Sequence, residues 1–221
     1  TAVAAFFATA PKVAAMALLI RLVMNTFQDI SHDWQQILIF LSIASMVLAS
    51  FAAIGQRSLK RFIAYSSIGH VGFALVGLSS ATAGGAEGVA IYMAIYVVMT
   101  LGLFACLLAF RTEKGYAENI EDLAGAAQGR PFVAAIMAVL LFSLIGMPPL
   151  AGFFAKWHVF LAAIDAHLYI LAVIGVLASA VSAFYYLRIV KIMYFDEPVS
   201  TFEAVPNELN IIMALSGIFV L

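Results

Sequence analysis

The sequence predicts an all-α, polytopic transmembrane helix bundle that forms a single membrane domain over residues 1–221. Of the 221 residues, 65% are hydrophobic and only 10% are charged, whereas a typical soluble domain has about 25% charged residues. Apolar runs of about twenty residues, the length that crosses a bilayer as a helix, recur along the chain. Two of them, at 36–54 and 168–187, contain no charged residue. A soluble core has no need of so many fully apolar helices.

Apolar segments separated by polar stretches account for most of the chain. The first ends at the polar stretch NTFQDISHD, and the fourth is followed by the linker RTEKGYAENIEDLAGAAQGR. The last segment is too short for a full span, which needs about twenty residues, so we expect the chain to be a piece of a longer protein. The seven predicted segments are Ala2–Met24, Gln36–Ile54, Phe62–Leu78, Val89–Phe110, Pro131–Ile164, Leu168–Met193 and a last one that starts near Leu209.

The basic residues predict the orientation of the bundle. Most of the 11 lysines and arginines fall in loops at alternate helix ends, and such loops face the cytoplasm or its equivalent. Arg21 alone lies near the opposite set of helix ends, and the two remaining bases, Lys12 and Lys156, lie away from the ends of the predicted spans. The loop bases are Arg57, Lys60, Arg61, Arg111, Lys114, Arg130, Arg188 and Lys191.

The fifth segment is predicted to be a broken helix. A straight helix over residues 131–164 would be about 50 Å long, which exceeds a hydrocarbon core of about 30 Å. Its middle contains Gly146, Pro148 and Pro149, and two successive prolines interrupt a helix because they lack backbone donors. Freed carbonyls are tolerated in a membrane only where protein or water satisfies them. We therefore expect two half-helices with a hydrated break near the membrane midplane.

Lys156, in the second half-helix, is the first candidate site residue. A lysine at the bilayer centre costs about 2.5–3.5 kcal/mol on insertion scales, so a functional role is the default interpretation. In the alternative, the side chain extends to the membrane interface. Lys12 is the second candidate, because it lies about 15 Å from the nearest polar end of its helix. Pro11 removes one backbone donor beside it.

His70, in the stretch YSSIGHVGF, is the third candidate. Its unperturbed pKa of about 6.5 suits a proton relay. A structural histidine bonded to a neighbouring helix carbonyl is the alternative, and both interpretations stay open. Tyr185 and Tyr186 are interpreted as aromatic residues of the membrane interface, with pathway hydroxyls as the alternative. His158 is interpreted as interfacial.

Several classes of chemistry are disfavoured by the sequence. The single Cys106 allows neither a disulfide framework nor a thiolate metal site. The sequence has no histidine pair at i, i+4 and no phosphate-binding glycine loop, so no metal site is expected. No basic patch suggests nucleic acid. Because removal from water disfavours the charged form of an amine, buried lysines can exchange protons near neutral pH. Proton translocation is the simplest chemistry that these residues predict.

Three stretches, TAVAAFFATAPKVAAM, QRSLKRFIAYSSIGHVGF and LIGMPPLAGFFAKWHVF, resemble the antiporter-like subunits of respiratory NADH:quinone oxidoreductase (complex I). Most members carry a histidine and a lysine in the helix that matches Val89–Phe110. Here it reads AIYMAIYVVMTLGLFAC, which favours the subunit N branch. The resemblance implies the second half of such a subunit, with Lys12 on its eighth helix, His70 on its tenth and Lys156 on its broken twelfth. The family's buried glutamate and second broken-helix lysine would lie upstream.

The resemblance also implies a function and a setting. Lys12, His70 and Lys156 would belong to a proton pathway coupled to quinone reduction, so the chain would be a translocase subunit without redox chemistry of its own. NADH, FMN, iron–sulfur clusters and quinone would be bound by other subunits. The expected partners are the other membrane subunits, including neighbouring antiporter-like ones, in a bacterial or mitochondrial inner membrane. A stand-alone Mrp-type cation/proton antiporter subunit and a structural subunit with vestigial lysines are the alternatives.

Overall fold

The computed structural model describes residues 2–112, 115–199, 202–203 and 205–221. Lys114, one of the predicted loop bases, lies outside the described residues. The structure is helical almost throughout, so the predicted all-α class is confirmed. The α-helices are α1 (Ala2–Arg21), α2 (Ser31–Ile54), α3 (Leu59–Leu78), α4 (Ala83–Ala109), α5 (Ala126–Gly129), α6 (Pro131–Ile145), α7 (Ala151–Asp165), α8 (Tyr169–Phe195) and α9 (Asn207–Val220).

Five helical stretches are long and apolar enough to cross a membrane, namely Val3–Thr26, Gln28–Ile54, Leu59–Leu78, Ala83–Ala109 and Tyr169–Phe195. The chain is therefore a multi-pass membrane protein. The helix α1 continues through Pro11 to Arg21 and is followed by a π-helical turn, Leu22–Thr26. Pro11 thus removes a donor without interrupting the helix, and the π-helical turn was not predicted from the sequence.

The loops that carry the predicted bases meet at one end of the bundle. The amide of Ile120 donates to the carbonyl oxygen of Arg57 over 2.8 Å, and the amide of Gly125 donates to Ile192 over 3.1 Å. Arg188 Nη1 donates to the carbonyl of Ile54 at 3.2 Å. At the other end of the bundle, Gln35 Nε2 donates to the carbonyl of Ser79 over 2.7 Å. The predicted alternation of basic and non-basic ends is therefore confirmed for the described residues.

The linker between α4 and α6 has local structure of its own. Strands β1 (Arg111–Thr112) and β2 (Gly115–Tyr116) form a short antiparallel pair. A 3-10 turn over Ile120–Leu123 follows, where Asp122 Oδ2 accepts from the amides of Glu118 and Asn119 at 3.0 and 2.8 Å. This arrangement satisfies backbone donors at the start of the turn. The linker lies across the basic end of the bundle.

The helices α3 and α4 lie at the centre of the bundle, and most of their residues are buried. Small residues let α2 approach α3 closely. A Cβ on Gly72 would lie 2.8 Å from Met46 Cγ, and a Cβ on Gly69 would lie 3.3 Å from Ala49 Cβ. The side chains of α3 that face away from α2 point towards α4, α7 and α8.

The fifth apolar segment is broken, as predicted. The half-helix α6 ends at Ile145, the residue after it, Gly146, has a positive φ of 90°, and α7 begins at Ala151. Each half has 15 residues, or about 22 Å at 1.5 Å per residue, so neither crosses a bilayer alone. The inner side of the break is buried, but Met147, Pro148 and Pro149 are exposed at the outer surface of the chain.

Candidate functional site

Lys156 is held at the break in the helix. Its Nζ donates to the carbonyl oxygen of Ile145 and to Ser179 Oγ, both at 2.7 Å. Only 6% of the residue is exposed. The amine also lies 4.5 Å from the centre of the Phe73 ring. The side chain therefore turns inward to the break, and the alternative in which it extends to the membrane interface is wrong.

The two prolines explain why an acceptor is available at this point. In an uninterrupted helix the carbonyl of Ile145 would accept from residue 149, which is a proline without a backbone donor. Ile145 is also the last residue of α6, where the helix dipole favours a cation. On the other side of the break, the amide of Gly152 donates to Ser143 Oγ over 3.0 Å. The free carbonyl at the end of α6 is thus satisfied by a side chain of α7, and an amide at the start of α7 is satisfied by a side chain of α6.

Lys12 contacts α3 from α1. Its Nζ donates to Ser67 Oγ, and the residue is half-buried. Ser67 Oγ lies 2.9 Å from the hydroxyl oxygen of Tyr96 on α4. Lys12 is therefore the first member of a polar chain that runs from α1 through α3 to α4.

His70 is buried between two phenols. Its Nδ1 lies 2.7 Å from the hydroxyl oxygen of Tyr92, and its Nε2 lies 3.1 Å from that of Tyr186. The hydroxyl of Tyr186 is also 2.5 Å from Ser66 Oγ. A neutral imidazole has one donor and one acceptor nitrogen, so one phenol donates to the ring and the other accepts from it. The bond to a helix carbonyl that the structural alternative required is not among the described contacts of His70.

Tyr185 and Tyr186 are not interfacial, and the prediction for them is wrong. They are 4% and 1% exposed. Both rings pack edge-on against Phe62 of α3, with centroids at 5.3 and 5.7 Å. The reason is that the α8 surface that carries them faces the bundle interior. The sequence did contain a signal, since Ser179, Ser182 and Tyr186 have the spacing of a single helical face.

The tyrosines of α4 were also missed as site residues. Tyr92 and Tyr96 are one turn apart and both are buried. The spacing i, i+4 puts their hydroxyls on one side of the helix, towards His70 and Ser67. His158 was predicted to be interfacial, and it is exposed, with its Nδ1 2.7 Å from the carbonyl of Phe154.

The three candidate residues thus belong to three hydrogen-bonded groups, in which His70 and Lys156 are buried and Lys12 is half-buried. The rings of His70 and Tyr96 lie 5.3 Å apart, which places the Lys12 and His70 groups in contact. Ser66, Ser67, His70 and Phe73 share the inner face of α3. Within the described residues, the ion pairs are Lys60–Glu118, Arg111–Glu203 and Lys191–Asp196, all largely exposed. Neither Lys12 nor Lys156 is paired with a carboxylate there.

A groove next to Lys156 opens between α7 and α8. Its volume is about 490 Å³, and its walls include Phe153, Trp157, Ser179 and Ala183. Most of the lining is apolar, so the groove gives Lys156 an apolar surrounding on its outer side. In the part of the chain that the structure describes, no group of three or more histidine, cysteine, aspartate or glutamate residues could hold a metal ion.

Comparison with known proteins shows which family the chain belongs to. Residues 1–182 match the model of the family described as NADH:quinone oxidoreductase/Mrp antiporter, transmembrane. The chain belongs to this family. It is 59% identical over 222 residues to NADH-quinone oxidoreductase subunit N 1 of Rhizobium meliloti, over 100% of the chain and 46% of the relative. The chain therefore spans about half the length of the curated relatives it matches. The predicted resemblance to the subunit N branch is confirmed.

Solved structures agree with this assignment. The chain superposes with a TM-score of 0.75 and 30% identity on respiratory complex I from Thermus thermophilus with bound aureothin, over 84% of this chain and 42% of the other. It superposes with a TM-score of 0.81 and 24% identity on the Mrp complex from Dietzia sp. DQ12-45-1b, over 88% and 36%. At this identity the Mrp match shows the fold alone.

Proposed function

We propose that this chain is part of a proton-translocating membrane subunit of NADH:quinone oxidoreductase, and that protons pass along Lys12, His70 and Lys156. The family match and the names of the relatives support the subunit assignment. The proton pathway is supported by the contacts that bring the three titratable residues close to the inner face of α3, where Lys12 bonds Ser67 and Lys156 lies over Phe73. Redox cofactors and quinone would be bound by other subunits of the complex, in the inner membrane.

The observation that carries the proposal is the set of contacts around Lys156. Its amine is buried, and its hydrogen-bond partners among the described residues are two neutral oxygen acceptors, Ile145 O and Ser179 Oγ. A lysine paired with a buried carboxylate would be held in its charged form, because separating such a pair leaves an uncompensated charge. With neutral partners, the amine can lose its proton and keep its position. It can therefore change its charge within each cycle.

His70 and its phenols provide the next exchange sites. Each ring nitrogen has a hydroxyl partner, and hydroxyls both donate and accept. A proton taken up at one nitrogen can be matched by release from the other, with Tyr92 and Tyr186 reorienting. The Lys12 group continues the series through Ser67 and Tyr96. The change in charge of these groups would be linked to quinone reduction elsewhere in the complex.

The proposal is tested in the full-length protein, assembled in its complex. Lys12→Met and Lys156→Met are introduced together, and NADH-driven proton uptake is measured in inverted membrane vesicles. We expect a large loss of uptake while NADH oxidation by an artificial acceptor that bypasses quinone is unchanged. Lys191→Met is the control, because Lys191 is exposed and pairs with Asp196 at the bundle end.

Two outcomes would contradict the proposal. Full proton uptake by the double variant would favour a structural subunit with vestigial lysines. Purification of the full-length protein in a complex without flavin and iron–sulfur subunits, together with sodium-dependent proton exchange, would favour an Mrp-type antiporter.

A further inference from the structure

Phe73 lies between Lys156 and His70. The residue is 3% exposed and is on α3, one turn after His70. Its ring centre is 4.5 Å from Lys156 Nζ and 6.1 Å from the centre of the His70 ring. On a further side it packs perpendicular to Phe160 at 6.1 Å. Phe73 is therefore in contact with both titratable groups.

The Lys156 and His70 groups are otherwise separate. Lys156 is bonded to Ile145 and Ser179, whereas His70 is bonded to Tyr92 and Tyr186. Among the described side chains, no hydrogen bond joins one group to the other. A phenylalanine ring has neither a donor nor an acceptor that could pass a proton. In this arrangement the ring interrupts the polar route.

The ring also distinguishes the two charge states of Lys156. The face of an aromatic ring attracts an ammonium group, and it has no comparable attraction for a neutral amine. Contact with Phe73 therefore favours a protonated Lys156. The same side chain thus attracts the charged amine and separates it from the next acceptor.

We propose that Phe73 is a positioning residue that acts as the barrier between Lys156 and His70. The proposal rests on the proton pathway proposed above and adds a control point to it. When the ring lies over Lys156, protons do not pass to the His70 group. When it turns aside, water enters between the two groups and joins them. A barrier of this kind prevents protons from leaking back when the complex is idle.

The test measures passive proton leak, which a purely structural residue would not control. Membrane vesicles with the full-length protein in its complex are given a pH gradient without NADH, and the rate of its decay is recorded. Phe73→Ala removes the ring and leaves space for water, so we expect the decay to be several-fold faster than in the parent. Phe73→Leu keeps most of the apolar bulk, so we expect decay close to the parental rate.

Two further variants connect the leak to this route. Combining Phe73→Ala with Lys156→Met should return the decay to the parental rate, since the leaking proton would pass through the amine. Phe160→Ala is the matched control, because it removes a ring that packs against Phe73 and not one between the titratable groups. We expect no added leak from it. If Phe73→Ala does not assemble, Phe73→Val takes its place with a smaller expected increase.

Parental decay rates in both Phe73→Ala and Phe73→Val would overturn the barrier, as would a leak that Lys156→Met does not remove. The proposed pathway would fail by a different result, namely full NADH-driven proton uptake by Lys156→Met alone. The two proposals are therefore separable in the same set of vesicles.

Discussion

The amine of Lys156 lies 2.7 Å from the carbonyl oxygen of Ile145, across the break between α6 and α7. Pro149, which occupies the position of the usual helical donor to that carbonyl, has no N–H to offer. The lysine side chain takes the place of the missing backbone donor. Pro148 and Pro149, which lie eight and seven positions before Lys156, are thus part of the same arrangement as the lysine. Breaking the helix creates the acceptor that holds the amine.

Gly146 makes this arrangement sterically possible. It has a φ of 90°, and a Cβ there would lie 2.9 Å from Lys156 Cδ. We expect Gly146→Ala to cost about 1–3 kcal/mol, because an L side chain is strained at this φ, and to displace the lysine. The temperature at which the assembled complex is thermally inactivated and the rate of NADH-driven proton uptake are the measurements, and both should fall.

Gly55→Ala is the control for Gly146. A Cβ on Gly55 would have no atom within 4 Å, and its φ of −82° is ordinary. We expect a change within about 0.5 kcal/mol, as for a typical surface substitution. Equal effects of the two substitutions would show that the geometry of the break has no special role.

The hydroxyls of Tyr92 on α4 and Tyr186 on α8 are hydrogen-bonded to the two ring nitrogens of His70. Tyr186→Phe and Tyr92→Phe each leave one buried ring nitrogen without a partner, which costs about 1–3 kcal/mol. We expect each variant to assemble and to slow NADH-driven proton uptake, while electron transfer to an artificial acceptor is preserved. Tyr65→Phe, on the same helix as His70, is the control with a half-buried ring. Parental uptake in both phenylalanine variants would make His70 a packing residue.

The orientation of the bundle is predicted from the loop bases. Glu118 is exposed at the basic end, and Gly84 is exposed at the start of α4 at the opposite end. Glu118→Cys should react with a membrane-impermeant thiol reagent only from the cytoplasmic side, and Gly84→Cys only from the other side. The native Cys106 is fully buried and should give little background. Labelling of both cysteines from one side would contradict the predicted arrangement of spans.

The helices and the break could be predicted because they depend on local properties. Apolar length defines a span, and Pro148 and Pro149 interrupt a helix whatever surrounds them. Lys12, His70 and Lys156 stood out because charged and titratable groups are costly inside a membrane. Each of these inferences uses one segment of the chain at a time.

The partners of the site residues could not be predicted in the same way. Tyr186 meets His70 across 116 positions of sequence, and Lys12 meets Ser67 across 55. Tyrosine is amphipathic and is common both at membrane interfaces and in buried networks, so its residue type does not decide between them. Only the packing of α8 on α3 makes Tyr186 internal. The same holds for Phe73, whose contact with Lys156 depends on where α7 lies after the break.

The role of Lys156 as a titrating amine is tested most directly by comparing Lys156→Met with Lys156→Arg. Methionine keeps the length and apolar bulk of the side chain and removes its proton exchange. Arginine keeps a positive charge, but its guanidinium stays protonated at any relevant pH. The measurement is NADH-driven acidification of inverted vesicles, beside electron transfer to an artificial acceptor. We expect both variants to assemble, both to lose most of their proton translocation, and both to keep that electron transfer. Full translocation by Lys156→Met would remove Lys156 from the pathway, and full translocation by Lys156→Arg alone would show that it acts as a fixed charge.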